Sequence, residues 1–288
     1  MRAWALRTRR LPLDAGTLTM GILNVTPDSF SDGGRYASPE AAVARGRQLA
    51  AAGADLVDVG GESTRPGAHP VPVDEELRRV VPVVAALAAD GICVSVDTRR
   101  PEVAAAAIEA GAEVVNDVSG LADPAMRRVC AETGVGVVVM HMRGEPATMQ
   151  DDPSYDDVVA EVAAFLAERT ARAEGDGIER DRIVVDPGIG FGKTGEHNLA
   201  LLADLGAIVA LGHPVLVGVS RKRFLGAILA EGGFERPPAD RDVASAAAAV
   251  AAVLAGASIV RVHDVVVSRE ATLVADAIVH ARRVKGRR

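Results

Sequence analysis

The sequence has few cysteines and few aromatic residues, and each shortage limits what the chain can be. Two cysteines occur in 288 residues, and Cys93 and Cys130 stand apart, without a CxxC pair or a histidine cluster nearby. This pattern argues against a disulfide framework and a zinc site, and it suits a reducing cytosol. Aromatic residues make up 3% of the chain, although 49% of it is hydrophobic, so alanine and valine must supply much of the core.

An excess of positive charge and a long apolar run are also missing. The formal net charge of -7 argues against general affinity for nucleic acid, which depends on clustered Lys and Arg. The longest apolar tract, ASAAAAVAAVLAGASIV, is too short and too rich in alanine to cross a bilayer of about 30 Å. The basic start MRAWALRTRR is not followed by the apolar stretch of a signal peptide. We therefore expect a cytoplasmic protein that binds neither nucleic acid nor a membrane.

Short runs rich in valine and isoleucine alternate with longer helical patterns, which is typical of repeated βα units around a parallel sheet. Eight runs have this character: LTMGILN, DLVDVG, CVSVD, EVVND, GVVVMH, IVVD, PVLVGVS and SIVRVH. No linker or shift in composition divides the chain. The pattern favours a TIM (β/α)8 barrel in a single domain over residues 1–288, rather than a doubly wound sheet. Residues 3–18 are predicted to form a short hairpin or lid at the base of the barrel.

Each predicted strand ends in a polar or charged side chain. In chain order these are Asn24, Glu62, Asp97, Asn116 with Asp117, His141, Asp186, Ser220 with Lys222, and Arg261 with His263. The carboxyl ends of barrel strands meet at one mouth, where enzymes of this fold have their active sites. The set therefore predicts a pocket at the mouth, although polar residues can also simply mark where strands stop.

Hydrogen-bond acceptors and cations at one mouth indicate a ligand with two different ends. A carboxylate accepts two parallel hydrogen bonds from a ring N–H beside an exocyclic amine, as in a 2-amino-4-oxo heterocycle. The acceptors available are Asp97, Asn116 and Asp186. Cations suit a phosphate or a carboxylate, and those expected on the opposite side are Lys222, Arg261 and His263. For each carboxylate alone, a structural ion pair is the alternative.

The segment DPGIGFGKTGEHN, residues 186–198, contains two incomplete nucleotide-binding motifs. Its glycines satisfy GxGxxG, but the next predicted strand does not end in the acidic residue of a dinucleotide site. Its GKT resembles the end of a Walker A loop, but Pro187 occupies the position of the leading glycine. We interpret the segment as a loop whose glycines let the backbone approach a flat ligand, with Phe191 available to stack on it.

The motifs at the strand ends follow in a distinctive order: GILNVTPDSFSDGG, DVGGESTRPGA, SVDT, NDVSG, MHMRG, DPGIGFGKTGEHN, GVSRKRFLG and RVHDV. This order, which spans nearly the whole chain, resembles the dihydropteroate synthases of folate biosynthesis. The resemblance implies a TIM barrel, in agreement with the strand count. It also implies transfer of a pterin-methyl group from 6-hydroxymethyl-7,8-dihydropterin diphosphate to the amine of 4-aminobenzoate, with release of diphosphate.

The resemblance implies roles for individual residues as well. The pterin would be held by Asp97, Asn116, Asp186 and Lys222, the diphosphate by Arg261 and His263, and a Mg²⁺ ion by Asn24. The 4-aminobenzoate would lie near Thr64, Pro66, Phe191, Lys222 and Arg223, and the substrate-binding set also includes Met140 and Gly218. The residues expected to take part in catalysis are Asp97, Asp186, Lys222, Asp28 and Arg65. Catalysis would be mainly electrostatic.

Two segments are expected to be mobile loops that close over the substrates. They are NVTPDSFSDGG after the first strand and GESTRPGA, residues 61–68, after the second. Pro27 and the Gly33-Gly34 pair oppose a continuous helix or strand. Closure would exclude water from the reactive diphosphate ester.

Two other functions remain open for such a barrel. A methyltransferase domain acting on methyltetrahydrofolate and a corrinoid protein shares the pterin-binding acceptors, but it has no use for the cations of SRK and RVH. A non-catalytic pterin-binding barrel would bind the ligand without turnover. The family likeness also implies a homodimer, and the alanine-rich segment DVASAAAAVAAVLAGA suits either a subunit interface or core packing.

Overall fold

The computed structural model describes residues 2–26, 39–63 and 70–285. The strands are β1 (Ala3–Ala5), β2 (Arg10–Pro12), β3 (Leu18–Asn24), β4 (Leu56–Gly60), β5 (Val94–Asp97), β6 (Val114–Asp117), β7 (Gly136–Met140), β8 (Ile183–Asp186), β9 (Leu216–Val217) and β10 (Ile259–Val262). The helices are α1 (Pro39–Ala51), α2 (Val73–Ala89), α3 (Pro101–Glu109), α4 (Pro124–Thr133), α5 (Val158–Gly175), α6 (Gly195–Ala203), α7 (Leu205–Val209), α8 (Arg223–Glu231), α9 (Asp242–Leu254) and α10 (Val265–Lys285).

Strands β3 to β10 form one parallel sheet in the order β8-β7-β6-β5-β4-β3-β10-β9. A parallel bridge between Val185 and Val215 links the two ends of this order. The described strands therefore close into a barrel, with a helix after each strand, and the predicted TIM (β/α)8 fold is confirmed. Within the described ranges, no helix combines the length and apolar character required to cross a membrane.

The barrel strands separate two apolar cores because alternate side chains point to opposite faces of a sheet. In β4, Val57 and Val59 face outward and belong to the core between the sheet and the helices. Leu56 faces the interior, where it shares a second core with Trp4 and Met20. This second core fills the lower part of the barrel, which leaves polar residues at the upper ends of the strands.

The N-terminal hairpin covers the base of the barrel, as the sequence predicts. Strands β1 and β2 pair antiparallel, with Trp4 opposite Leu11. The indole of Trp4 is fully buried, and its Nε1 donates a hydrogen bond of 2.8 Å to the carbonyl of Arg182. The hairpin therefore closes the end of the barrel that lies opposite the predicted site.

Helix N-termini lie at the same end of the barrel as the carboxyl ends of the strands. Helices α4, α5 and α6 are capped by side chains: Asp123 accepts from Ala125 N, Asp157 from Val159 N, and Thr194 from His197 N in a capping box. These caps satisfy backbone donors that have no partner within the helix. They fix where α4, α5 and α6 begin, and so fix the length of the loops around the mouth.

One predicted strand is much shorter than expected. The run PVLVGVS contributes only the strand Leu216–Val217 and the single bridge of Val215 to the sheet. Pro214 has no N–H to donate to a ladder, and after Val219 the chain turns, with Lys222 N donating to the Val219 carbonyl at 3.3 Å. The polar end of this run therefore belongs to a turn that leads into α8.

Candidate active site

The strand register places polar residues of neighbouring strands side by side at the mouth. Asn24 is paired with Gly60, Gly60 with Asp97, and Asp97 with Asn116. A Cβ atom on Gly60 would lie 3.7 Å from Asp97 Oδ2 and 3.8 Å from Asn24 Oδ1. Asn24 and Asp97 therefore face the same side of β4, and the missing side chain at position 60 leaves room between them.

The other strand-end residues of the predicted set continue this ring. Met140 is paired with Asp186 across β7 and β8, and a Cβ on Gly218 would be 3.8 Å from the Cβ of Arg261. The predicted acceptors Asp97, Asn116 and Asp186 are all buried. The structure therefore brings the predicted pterin-binding acceptors together at one mouth.

Arg261 does not lie opposite the acceptors, and this part of the sequence prediction is wrong. Its Nη2 donates to Asp97 Oδ2 at 2.6 Å, and its Nε donates to Asp58 Oδ2 at 2.6 Å. The cation is paired directly with the carboxylates because a buried charge is stable only beside an opposite charge. Two of the five N–H groups of a guanidinium are used in this way, which leaves the others available to a ligand.

Asp58 is a site residue that sequence reasoning missed. It lies in the middle of β4 and is fully buried, and its Oδ2 also accepts a 3.0 Å hydrogen bond from Asn116 Nδ2. One carboxylate thus holds both Arg261 and Asn116. One sequence feature could have identified it: Asp58 is an acidic residue two positions after Leu56, and so lies on the inward face of an otherwise apolar strand.

Burial changes the ionisation of the site. It raises the pKa of Asp97 to about 7, against the opposing charge of Arg261. It also raises the pKa of Asp186 to about 6, although a hydrogen bond from Gly188 N and the charge of Lys222 favour the carboxylate. Burial alone would lower the pKa of Arg261, but Asp58 and Asp97 raise it above the usual value. Arg261 is therefore always charged, whereas the two carboxyl groups titrate near neutral pH.

Lys222 and Phe191 form a second wall of the mouth. Lys222 Nζ lies 4.0 Å from the centroid of the Phe191 ring, in a cation–π contact. Arg223 is exposed, and its Nη2 lies 3.5 Å from Gln150 Oε1. Phe191, Lys222 and Arg223, which sequence reasoning assigned to the 4-aminobenzoate side, are therefore neighbours.

His263 is oriented by Ser220. The Ser220 hydroxyl lies 2.9 Å from His263 Nδ1, and it accepts a 3.1 Å hydrogen bond from His263 N. Both residues follow strand ends, β9 and β10 respectively. The contact joins the two neighbouring loops beside Arg261.

Three other strand-end side chains mainly organise loops. The carboxylate of Asp117 accepts from Ser119 N at 2.7 Å and from Leu121 N at 3.2 Å. Glu62 pairs with Arg100 at 3.3 Å. His141 is buried against the β8–α6 loop, where its Nδ1 lies 2.8 Å from Lys193 Nζ. A polar strand end is thus not by itself evidence of ligand binding.

The glycine-rich loop after β8 packs against another loop, which differs from our interpretation of its sequence. Gly188 and Gly192 have φ values of +66° and +59°, and a Cβ on either would overlap a backbone carbonyl of the β7–α5 loop, at His141 and Arg143 respectively. Glycine is required there because two backbones approach closely. The predicted residues Asp28, Thr64, Arg65 and Pro66 lie outside the described residues.

A model of the family described as pterin binding enzyme matches residues 20–263. The chain belongs to this pterin-binding family. The match confirms the resemblance inferred from the sequence motifs. Among curated proteins, the dihydropteroate synthase of Mycobacterium leprae is 53% identical over 265 residues, covering 91% of this chain and 93% of that protein.

Solved structures of dihydropteroate synthases are also similar to this chain in fold and in sequence. The dihydropteroate synthase of Xanthomonas albilineans with 4-aminobenzoic acid has a TM-score of 0.88 at 49% identity and covers 96% of this chain and 98% of its own. That of Burkholderia cenocepacia, complexed with 7,8-dihydropteroate, has a TM-score of 0.86 at 42% identity and covers 98% of both chains.

Proposed function

We propose that this chain is a dihydropteroate synthase, which joins 6-hydroxymethyl-7,8-dihydropterin diphosphate to 4-aminobenzoate. The observation that carries the proposal is the group at the mouth of the barrel in which the partly buried Arg261 joins the buried residues Asp58, Asp97, Asn116 and Asp186. Its acceptors suit the donor edge of a pterin ring, and its guanidinium retains N–H groups for the diphosphate.

The reaction breaks the bond between the pterin methylene carbon and the diphosphate oxygen and forms a bond from that carbon to the amine nitrogen. Asp97 and Asp186 bind the pterin and stabilise the positive charge that develops on it, while Arg261 and His263 stabilise the departing diphosphate. The amine loses one proton to solvent water once its bond has formed. An aromatic amine is already a nucleophile, so no strong base is required.

The 4-aminobenzoate would occupy the wall formed by Phe191 and Lys222. The Phe191 ring offers an apolar face for the benzene ring, and the exposed Arg223 can pair with the carboxylate. Held in this way, the amine faces the pterin methylene carbon, which converts a bimolecular reaction into one between oriented neighbours. Met140 and Gly218, which lie in the same ring of strand ends, complete the proposed substrate contacts.

The donor set also fits the predicted Mg²⁺ ion. Mg²⁺ prefers hard oxygen ligands and often retains waters and substrate phosphates, and the Asn24 amide oxygen and the Asp97 carboxylate both border the space that a side chain on Gly60 would fill. In this proposal Asn24 would hold the ion against the diphosphate. When bound, it would neutralise charge on the leaving group.

We further propose that residues 1–288 act as one domain, that the protein is a homodimer, and that it is cytoplasmic. The dimer is supported by exposed aliphatic side chains on α9 and α10, namely Val243, Val266, Leu273, Val274 and Ile278. The cytoplasmic location is supported by Cys93 and Cys130, which are buried free thiols. Sedimentation at micromolar concentration tests the dimer, and a monomeric mass would refute it.

The decisive experiment measures diphosphate release from the pterin substrate with Mg²⁺, in the presence and absence of 4-aminobenzoate. Release that depends on 4-aminobenzoate is expected. Lys222→Ala should lower kcat/KM by about 100-fold or more, as expected for lost charge stabilisation. Arg172→Ala is the control, because Arg172 is an exposed cation on α5 that pairs with Glu168. Pterin binding without turnover would instead indicate a non-catalytic barrel.

A further inference from the structure

We propose that Lys193 is a positioning residue for the 4-aminobenzoate side of the site, where it fastens the loop that carries Phe191 to the loop that follows β7. This role rests on the proposed function. Lys193 itself lies behind Phe191 and is 1% exposed. It therefore acts through its neighbours rather than on the substrate.

The ammonium group of Lys193 is fully used by three acceptors. Its Nζ lies 2.8 Å from His141 Nδ1, 3.0 Å from the Gly188 carbonyl and 3.0 Å from the Phe191 carbonyl. An ammonium has three N–H donors, so each finds one partner. Lysine is almost never fully buried unless it is paired, and here the partners belong to two loops at the mouth.

The neutral form of His141 is consistent with this geometry. Burial, together with the charges of Lys193 and Arg143, lowers the pKa of His141 to about 3. The imidazole is therefore neutral at physiological pH, and its Nδ1 can accept a hydrogen bond from the ammonium when the proton is on Nε2. Burial also lowers the pKa of Lys193 to about 7, while the nearby Asp186 favours the charged form.

The two acceptors in the β8–α6 loop, the carbonyls of Gly188 and Phe191, belong to residues that contact the proposed substrate-binding side chains Asp186 and Lys222. Gly188 follows Asp186 by two residues, and Gly188 N donates to Asp186 Oδ1 at 2.7 Å. Phe191 contacts Lys222 through its ring. Lys193 thus connects the carboxylate assigned to the pterin with the wall assigned to 4-aminobenzoate.

Two further carbonyls of this loop accept hydrogen bonds from side chains of the β7–α5 loop. Gln150 Nε2 donates to the Gly190 carbonyl at 2.7 Å, and the Tyr155 hydroxyl donates to the Gly192 carbonyl at 2.8 Å. A glycine-rich backbone has little conformational preference of its own. The position of Phe191 therefore depends on these side chains, and Lys193 provides two of the hydrogen bonds.

Lys193→Met tests the role, because methionine has a similar length and no donor. With Mg²⁺ present, we expect KM for 4-aminobenzoate to rise about 10-fold or more while KM for the pterin substrate changes less than about threefold, since Asp97 and Asn116 stay in place. Trp4→Phe is the control: it perturbs the packing at the opposite end of the barrel and should change neither KM. An equal rise in both KM values, or no rise, would overturn the proposal.

Hydrogen exchange provides a test that does not depend on turnover. Amides of residues 187–193 should exchange faster in Lys193→Met than in Trp4→Phe, and unchanged exchange would overturn the fastening role. If the unmodified protein releases no diphosphate, the proposed function fails, while this exchange result still decides whether Lys193 fastens the loop.

His141→Phe is the second variant if Lys193→Met does not fold. It keeps an aromatic ring against Phe165, whose centroid lies 4.8 Å from that of His141, and it removes one of the three acceptors of Lys193. A smaller shift of the KM for 4-aminobenzoate in the same direction is expected. An unchanged KM for 4-aminobenzoate in this variant would contradict the proposal.

Discussion

Asp58 accepts hydrogen bonds from two side chains inside the barrel, Arg261 Nε and Asn116 Nδ2. Asp58→Ala would leave the partly buried guanidinium of Arg261 with one carboxylate partner instead of two. Because breaking a buried ion pair costs about 3–5 kcal/mol, we expect a loss of that order in the free energy of unfolding, measured by urea denaturation. Pterin affinity should fall as well.

Asp181→Ala provides the matched control for Asp58. Asp181 also pairs with an arginine, Arg10, at 2.8 Å, but both side chains are well exposed. An exposed pair contributes about 0–1 kcal/mol, so this variant should lose little stability. Equal losses in the two variants would mean that Asp58 has no special role within the barrel.

Asp186 should make pterin binding dependent on pH. Its pKa is raised to about 6, so the carboxylate that accepts hydrogen bonds is lost as the pH falls through that value, and affinity should fall with it. Asp97, whose pKa is raised by burial to about 7, adds a second titration step at higher pH. Calorimetric titration of the pterin from pH 5 to 8 measures the slope.

Asp186→Asn removes one of the two titrating groups. Below pH 6 the slope of log affinity against pH should then decrease by about one, because one fewer proton is displaced by the ligand. Binding at pH 8 should also weaken. An unchanged slope would exclude Asp186 as the acceptor of the pterin donors.

The site residues that the sequence predicts lie at strand ends, whereas those that it misses are defined by contacts between residues distant in the chain. Asp97, Asn116 and Asp186 follow strand ends, and the geometry of a barrel brings such positions together. The partnership of Asp58 with Arg261 joins residues 203 positions apart, and it depends on which face of β4 is inward. Lys193 belongs to the GKT of an incomplete Walker A motif in the sequence. Its burial between two loops depends on how those loops pack, which the local sequence does not indicate.

At the scale of elements, the β8–α6 loop is defined by close contact with its neighbour. Gly188 has φ +66°, and a Cβ there would overlap the His141 carbonyl oxygen. Gly188→Ala therefore combines backbone strain with a steric clash, and we expect a cost of about 2–3 kcal/mol or more in the free energy of unfolding. The loop should also lose the geometry around Phe191, so that KM for 4-aminobenzoate rises.

Gly195→Ala provides the comparison. Gly195 is the first residue of α6, its φ is not in the left-handed region, and a Cβ there would meet nothing within 4 Å. Alanine favours helical backbone by up to about 1 kcal/mol over glycine, so this variant should be neutral or slightly stabilising. If both variants behaved alike, the contact with His141 would not constrain the loop.

The sequence predicts the strands of the barrel more reliably than their lengths. IVVD coincides with β8 and LTMGILN with β3, because buried parallel strands appear as continuous apolar runs. PVLVGVS did not coincide with β9, since the sheet ends where the chain turns towards α8. Periodicity shows which segments are buried, but hydrogen-bond pairing with the neighbouring strand decides where a strand ends.

At the scale of the whole molecule, the barrel has an apolar base and a polar mouth. The base contains Trp4, Met20 and Leu56 in one core, whereas Asp58, Asp97 and Arg261 are paired above it. The apolar core inside the barrel and the residues assigned to the chemistry thus lie at opposite ends of the same strands. A substitution at the base should affect folding without changing the binding of either substrate.

Trp4→Ala tests this separation. Trp4 is fully buried and donates to the Arg182 carbonyl, so its truncation should lower the free energy of unfolding by about 3–5 kcal/mol. Trp4 is also the only tryptophan, so unfolding should be followed by circular dichroism rather than fluorescence. Under conditions where the variant is folded, KM for both substrates should match that of the unmodified protein. A changed KM for either substrate in the folded variant would show that the hairpin at the base is coupled to the mouth through the barrel strands.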